Sequence, residues 1–530
     1  MGKLPDKLSL QDDFFETSYE DWKQLAEKDL EGIPLERLKT RTYEGIYLQF
    51  IYTKKDIQNL PQIENKPGYN YFLRGTKADG YVNNSWLIAQ EIPYVNPEDF
   101  NDALQFDLTK GQNSVNLILN RATQNLFDFE NKNENAFSKT GVYIQSINDI
   151  KKIFSNVDIT KYPLFVKCGF SNLYFLLLFA GYAKENKIDL KNISGAFESD
   201  PYYFAITEGT LPARLDNIFD EIASVTKWTI KNIPKLKTIG VSSLHYHNAG
   251  ANNVQELAFA FATAIEYIRQ LLDRGLSIDE IAQRIRFTFG IGSLYFLEVA
   301  KLRAARMLWA KIIEEFGGNE DSQKINMHAR TSSLNQTIFD PYVNMIRTTT
   351  ETFSAVVGGA DSMHSNYFDE SFRMTDEFSR RIARNTQIIL NEESHLNRII
   401  DPAGGSYYVE KLTDEVAKKT WTLFQEIEKK GRMFKALKEG IPQEMVEQIK
   451  TEKKNNFTKR RYVLIGTNIY TNVKEKKLEP NNPDIMPVLK KNSEEFKKQR
   501  KNDDVGNALK ELSEINKPED LISNGIKAAI

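Results

Sequence analysis

The stretch SSLHYHNAGA, residues 242–251, carries two of the chain's five histidines, His245 and His247. Imidazole can ligate a metal or carry a proton near neutral pH. On a strand, positions i and i+2 share a face, so this spacing predicts two rings pointing the same way. A zinc site needs a third and a fourth ligand. His328 and His364, at the ends of two other strand-like runs, could supply them. The plainer chemistry is a barrel interior whose polar groups hydrogen-bond one another across strands. His245, His328, Arg330 and His364 all fall near candidate strand C-termini, the end where barrel enzymes carry their sites. There is no HExxH and no GxxxxGK[ST]. GIGSLY (290–295) lacks the third glycine of a dinucleotide fingerprint and reads as following a helix, so it is discounted.

Something must position these residues. Short apolar runs alternate with helical segments over most of the chain. The candidate strands are 45–52, 114–120, 141–147, 163–169, 238–246, 325–332 and 354–364. Residues 253–275 carry an apolar stripe at helical spacing and stop at Gly275. SIDE (277–280) is a capping box, and 293–318 reads as a long amphipathic helix closed by a glycine pair. Repeated strand–helix order implies a parallel sheet, and seven or eight such units imply a (β/α)8 TIM barrel. An N-terminal arm (1–40) would precede the barrel (41–430). A C-terminal extension and linker (431–530) would follow it, with a short strand-like run at YVLIGTNIY and an exposed charged helix at 489–515.

Composition narrows the function. Of 530 residues, 41% are hydrophobic, enough for a large core, and the formal net charge is −2. That balance gives no global pull toward nucleic acid or an anionic membrane. The single cysteine, Cys168, excludes an internal disulfide or a multi-cysteine zinc site and fits a reducing compartment. The start is acidic and unlike a signal or transit peptide, and no run reaches the length of a membrane span. A cytoplasmic protein is expected.

Several long blocks carry a resemblance. SLHYHNAGANNVQELAFAFATAIEYIR, FGIGSLYFLEVAKLRAARMLWAKI, MHARTSS and DPYVNMIRTTTETFSAVVGGADSMHSNYFDE resemble the barrel domain of the methylmalonyl-CoA mutase family, which uses adenosylcobalamin. The resemblance implies a barrel whose axis admits the pantetheine of coenzyme A, and radical isomerisation of methylmalonyl-CoA to succinyl-CoA. A separate flavodoxin-like domain would carry the cobalamin.

The departures matter as much. Catalytic members read W-T-I-R-Q-Y-A-G where this chain has SWLIAQEI (85–92), so Ala89 replaces an arginine and Glu91 a tyrosine. Glu91 would repel a dicarboxylate, and Ala89 removes its charge partner. G-Y-H-M-Q-E-A-G-A becomes SLHYHNAGA: His245 is kept, but His247 and Asn248 replace glutamine and glutamate. In HARTSS an axial glutamine becomes Arg330, while Glu370 is kept. GAFESDPYYFAITEGTL (195–211) lacks the family's substrate-arginine stretch and is more like the small, non-catalytic chain of the heterodimeric enzyme. The cobalamin signature D-x-H-x-x-G is absent. The resemblance therefore implies a small subunit that pairs with a catalytic large subunit, the complex using adenosylcobalamin and this chain binding none. His245 is the inherited candidate for catalysis, no longer assigned to it, and would survive as a hydrogen-bonded interior residue beside His247. His328, Arg330 and Glu370 are the candidate substrate-binding positions, and no metal is expected. Two alternatives stand beside this: a catalytic barrel chain with its cobalamin domain on another polypeptide, and a non-enzymatic scaffold. Partner contacts are expected from the helix at 293–316, with Leu294, Phe296, Leu297, Leu302 and Met307, and from the arm, with Phe14, Phe15, Tyr19 and Trp22.

Overall fold

The computed structural model describes residues 17–127, 137–475, 478–480, 482–500, 502–514 and 518–530. Phe14 and Phe15 lie outside them. Eight parallel strands form one sheet: β1 (Leu87–Ile88), β2 (Val115–Ile118), β3 (Leu164–Lys167), β4 (Ser194–Ser199), β5 (Lys235–Ser242), β6 (Ile285–Ile291), β7 (Met327–Thr331) and β8 (Ser362–His364). Their order is β1-β8-β7-β6-β5-β4-β3-β2. A parallel bridge between Glu91 and Asn116 joins the chain just past β1 to β2, so the sheet curls into a barrel. A helix follows each strand: α1 (Pro97–Thr109), α2 (Ile147–Ile153), α3 (Leu173–Glu185), α4 (Leu215–Asn232), α5 (Asn253–Leu272), α6 (Tyr295–Glu315), α7 (Val343–Gly358) and α8 (Glu377–Glu392). The expected α/β barrel is present.

Individual elements depart from the sequence reading. Residues 45–52 contribute only Tyr47–Leu48, in a small antiparallel hairpin with Thr40–Arg41 outside the barrel. Residues 141–147 form no strand, only a bridge from Val142 to Leu119. Residues 354–358 belong to the end of α7, and only Ser362–His364 form β8. The barrel strands β1, β4 and β6 replace those expectations. The first is two residues long, too short for a period. The second, SGAFES, has weak strand propensity. The third alternates apolar residues with Arg286 and Thr288, and all seven of its residues are buried. GIGSLY therefore follows a strand, not a helix. YVLIGTNIY holds one isolated bridge, Ile465 to Ile469, and 489–515 divides into helices Met486–Gln499 and Asn502–Ser513.

Two predicted helix signals are present. The Ser277 capping box is formed, Ser277 N donating to Glu280 at 2.8 Å and Glu280 N to the Ser277 hydroxyl at 3.3 Å. Helix α5 begins on a second box, Asn252 with Gln255. Both α5 and α6 are buried nearly all round because a further helix, α9 (Tyr407–Lys429), packs across them. This corrects the partner expectation for residues 293–316. Leu297 and Leu302 are buried within this chain, and only Leu294 (46% exposed) and Phe296 (48%) stay open. In the arm, Trp22 stacks on Phe50, while Tyr19 remains exposed. The helix Pro518–Ala529 lays Ile522 and Ile526 against α3 and its neighbours.

Candidate functional site

The barrel interior is charged. Gly240 on β5 leaves room for Glu198 on β4 to pair with Arg286 on β6. Partners two strands apart can meet only inside the barrel. Arg286 also donates to the Ser362 hydroxyl at 3.0 Å and lies 4.0 Å above the Phe165 ring. The Ser362 hydroxyl in turn lies 3.0 Å from Nδ1 of His328. His328 is fully buried, and burial, with the Arg286 cation beside it, holds its pKa well below the usual imidazole value. It is a neutral interior residue in the second position of β7, deeper than the strand C-terminus expected for it.

One level higher, at the C-terminal mouth, a second cluster forms. Lys167 ends β3, Arg330 is the fourth residue of β7, His364 ends β8, and Glu91 follows β1. Lys167 Nζ lies 2.9 Å from Glu91 Oε1, and Arg330 Nε lies 3.1 Å from Oε2. Arg330 Nη2 reaches Glu370 Oε1 at 3.3 Å. The Glu91 amide donates to His364 Nδ1 at 3.1 Å, which leaves the proton of neutral His364 on Nε2, 3.9 Å from Glu91 and 3.8 Å from Glu370. Burial raises the Glu91 pKa, but Arg330 and Lys167 outweigh it and hold the carboxylate well below its usual range. Burial likewise opposes ionisation of Glu370, and Arg330 again prevails. Two cations meet two carboxylates, so the mouth satisfies its own charges.

The two histidines of the opening stretch part company. Strand β5 ends at Ser242, and Leu244–Ala249 is a short helix closed by Gly250 at φ 107°. On a helix, i and i+2 lie on different faces. His247 turns to Glu256 (Nδ1 to Oε2, 3.1 Å), which also accepts from Lys301 at 2.8 Å. Lys301 meets Glu298 at 2.6 Å, and Glu256 accepts from Gly290 N at 2.7 Å. His245 instead packs edge-on to Tyr203, ring centres 5.1 Å apart, and against Tyr246 at 3.8 Å. Neither of its ring nitrogens has a well-formed hydrogen bond, and burial lowers its pKa to about 3. The expected pair is therefore corrected: His247 bonds a side chain, Glu256, and His245 has no side-chain partner.

The structure brings Arg330, Glu370 and His364 together, sets His328 below them, and keeps His245 apart. Among the described residues no group of three or more His, Cys, Asp or Glu could hold a metal ion. The sequence reading missed Lys167, Glu198, Arg286 and the Glu256–Lys301 pair. For Lys167 and Arg286 the signal was a single charge within an apolar strand, as in LFVK and IRFTFGI. No described helix is long and apolar enough to cross a membrane.

Residues 41–530 match the family model described as methylmalonyl-CoA mutase. The chain is 34% identical over 505 residues to a methylmalonyl-CoA mutase of Rhizobium meliloti, covering 94% of this chain and 71% of that protein. It is 34% identical over 481 residues to the mitochondrial methylmalonyl-CoA mutase of Homo sapiens, covering 90% and 64%. It is 32% identical over 496 residues to a methylmalonyl-CoA mutase large subunit of Porphyromonas gingivalis, covering 92% and 69%.

Proposed function

The chain belongs to the methylmalonyl-CoA mutase family, and from that premise we propose that it is the small, non-catalytic subunit of a heterodimeric mutase. Its partner would be a catalytic large subunit that isomerises methylmalonyl-CoA to succinyl-CoA. The observation that carries this reading is the Glu91 cluster. Where the family resemblance implies a tyrosine in catalytic members, this chain has a carboxylate tied to Arg330 and Lys167. A substrate carboxylate entering there meets Glu91 in place of a free cation.

The histidines support the same reading for the cofactor. A cobalt ligand needs an accessible imidazole nitrogen. His247 is paired with Glu256 of α5, His328 and His364 are engaged inside the barrel, and the ring nitrogens of His245 are buried beside Tyr203 and Tyr246. His395 is exposed but follows α8, beside residues that line the opposite end of the barrel with Gly359 and Asp361. This chain's histidines do not fit adenosylcobalamin, and in this reading the large subunit holds it. The reading also takes 1–40 as an arm, 41–430 as the barrel and 431–530 as an extension, in a cytoplasmic complex burying roughly 2,000 Å² or more.

One observation favours a second reading, a catalytic barrel served by a separate cobalamin protein: the ring nitrogens of His245 have no side-chain partner. The purified chain with adenosylcobalamin and methylmalonyl-CoA separates the two. No succinyl-CoA is expected from this chain alone, and co-elution with a co-expressed large subunit is expected on size exclusion. Turnover by this chain that disappears in His245→Ala would establish the second reading instead.

A further inference from the structure

We propose that Lys167 and Arg330 form a carboxylate-binding cradle at the barrel mouth, with Glu91 as its resident, intramolecular ligand. The two cations come from β3 and β7 and approach different oxygens of one carboxylate, at 2.9 and 3.1 Å. That arrangement recognises a flat, singly charged anion at both of its ends.

The main chain at position 91 is held independently of its side chain. Its amide donates to His364 Nδ1 at 3.1 Å, its carbonyl accepts from the Tyr367 hydroxyl at 2.5 Å, and it bridges to Asn116. Removing the carboxylate therefore leaves the cradle standing. Glu91 is the one ion-pair partner of Lys167 among the described residues, whereas Arg330 keeps Glu370 at 3.3 Å. Without the Glu91 carboxylate the cluster gains one net positive charge. The side chains are partly exposed, Lys167 being 23% exposed, Arg330 15% and Glu91 13%. The ligand class is the carboxylate end of a short organic acid. A Glu91→Ala change deletes one methylene and the carboxylate, a group with the shape of acetate, so acetate is the probe.

The inference deepens the non-catalytic reading and rests on its view that Glu91 occupies the cations of the mouth. Thermal melts of wild type and Glu91→Ala are compared in sodium acetate, sodium chloride and acetamide. Glu91→Ala should melt lower than wild type and regain part of the loss, saturably, in acetate alone. Calorimetry should show acetate binding at least about tenfold tighter than to wild type, as expected for hydrogen bonds to a charged group. Adding Arg330→Gln should abolish the rescue. Equal effects of acetate and chloride, or equal responses of the two proteins, overturn the proposal: Arg330 would then have turned wholly to Glu370. Should Glu91→Ala fold poorly, its refolding yield in acetate against chloride gives the same decision, equal yields overturning the cradle. Turnover plays no part in these readouts. A failed rescue therefore sinks the cradle alone, and succinyl-CoA formed by the wild-type chain sinks the non-catalytic reading alone.

Discussion

Glu198 and Arg286 pair across Gly240, and a Cβ placed on that glycine would stand 2.9 Å from the Cβ of Glu198. The missing side chain on β5 is what allows β4 and β6 to reach each other inside the barrel. Buried pairs of this kind are costly to break because each partner left alone is an uncompensated charge.

Gly240→Ala is accordingly expected to destabilise the protein by about 1–3 kcal/mol through overpacking. The methyl would meet a β-carbon, which moves only with its backbone. Urea unfolding checks this, and an unchanged midpoint would show that Glu198 can retreat.

Coenzyme A gives a second test of the same interior. With Arg286, Glu198, Arg330 and Lys167 inside the barrel, calorimetric titration with coenzyme A should show no micromolar binding. A clear micromolar isotherm would mean that these side chains yield to pantetheine, and would move weight to the catalytic reading.

Lys301 sits fully buried between Glu256 and Glu298. Lys301→Met would strand two buried carboxylates, at a cost of about 3–5 kcal/mol. The pH dependence follows. Burial raises the Glu256 pKa, but Lys301 and His247 outweigh it and bring it from 4.5 to about 2. Its contribution is present above pH 4.5 and is lost as the pH falls toward about 2. Denaturation midpoints measured between pH 5 and pH 2 should fall more steeply for wild type than for Lys301→Met.

Glu351 has the opposite sign. It accepts from Ser332 N at 3.2 Å and Asn335 Nδ2 at 2.8 Å, and burial pushes its pKa up to about 8. An acid whose folded pKa is raised binds its proton more tightly when folded, so stability declines from pH 4.5 to about 8. Glu351→Gln should therefore gain on wild type across that window by at least ~1 kcal/mol. Parallel stability curves for the two proteins would rule this out.

The sequence by itself determined the architecture and the chemistry of individual positions. Repeated strand–helix order specifies a parallel sheet, because only crossover connections can join parallel strands, and the number of units together with the family resemblance pointed to its closure. The Ser277 box and the long apolar stripes of α5 and α6 are local patterns, and local patterns are legible in a chain. The residues Ala89, Glu91 and Arg330, which the resemblance singles out, were likewise readable, since they are identities at positions. Tertiary structure alone decided what those identities touch. Glu91 and Arg330 are 239 residues apart in sequence and 3.1 Å apart in space. The apolar surplus of α6 read as a partner's surface until α9, some hundred residues later in the chain, proved to cover it. The pairing of His245 with His247 failed on a single boundary. Strand β5 stops at Ser242, and the turn into a helix sends one imidazole to Glu256 and the other to Tyr203. Spacing gives a common face only while the backbone keeps one period, and where that period changes is set by packing against the rest of the barrel.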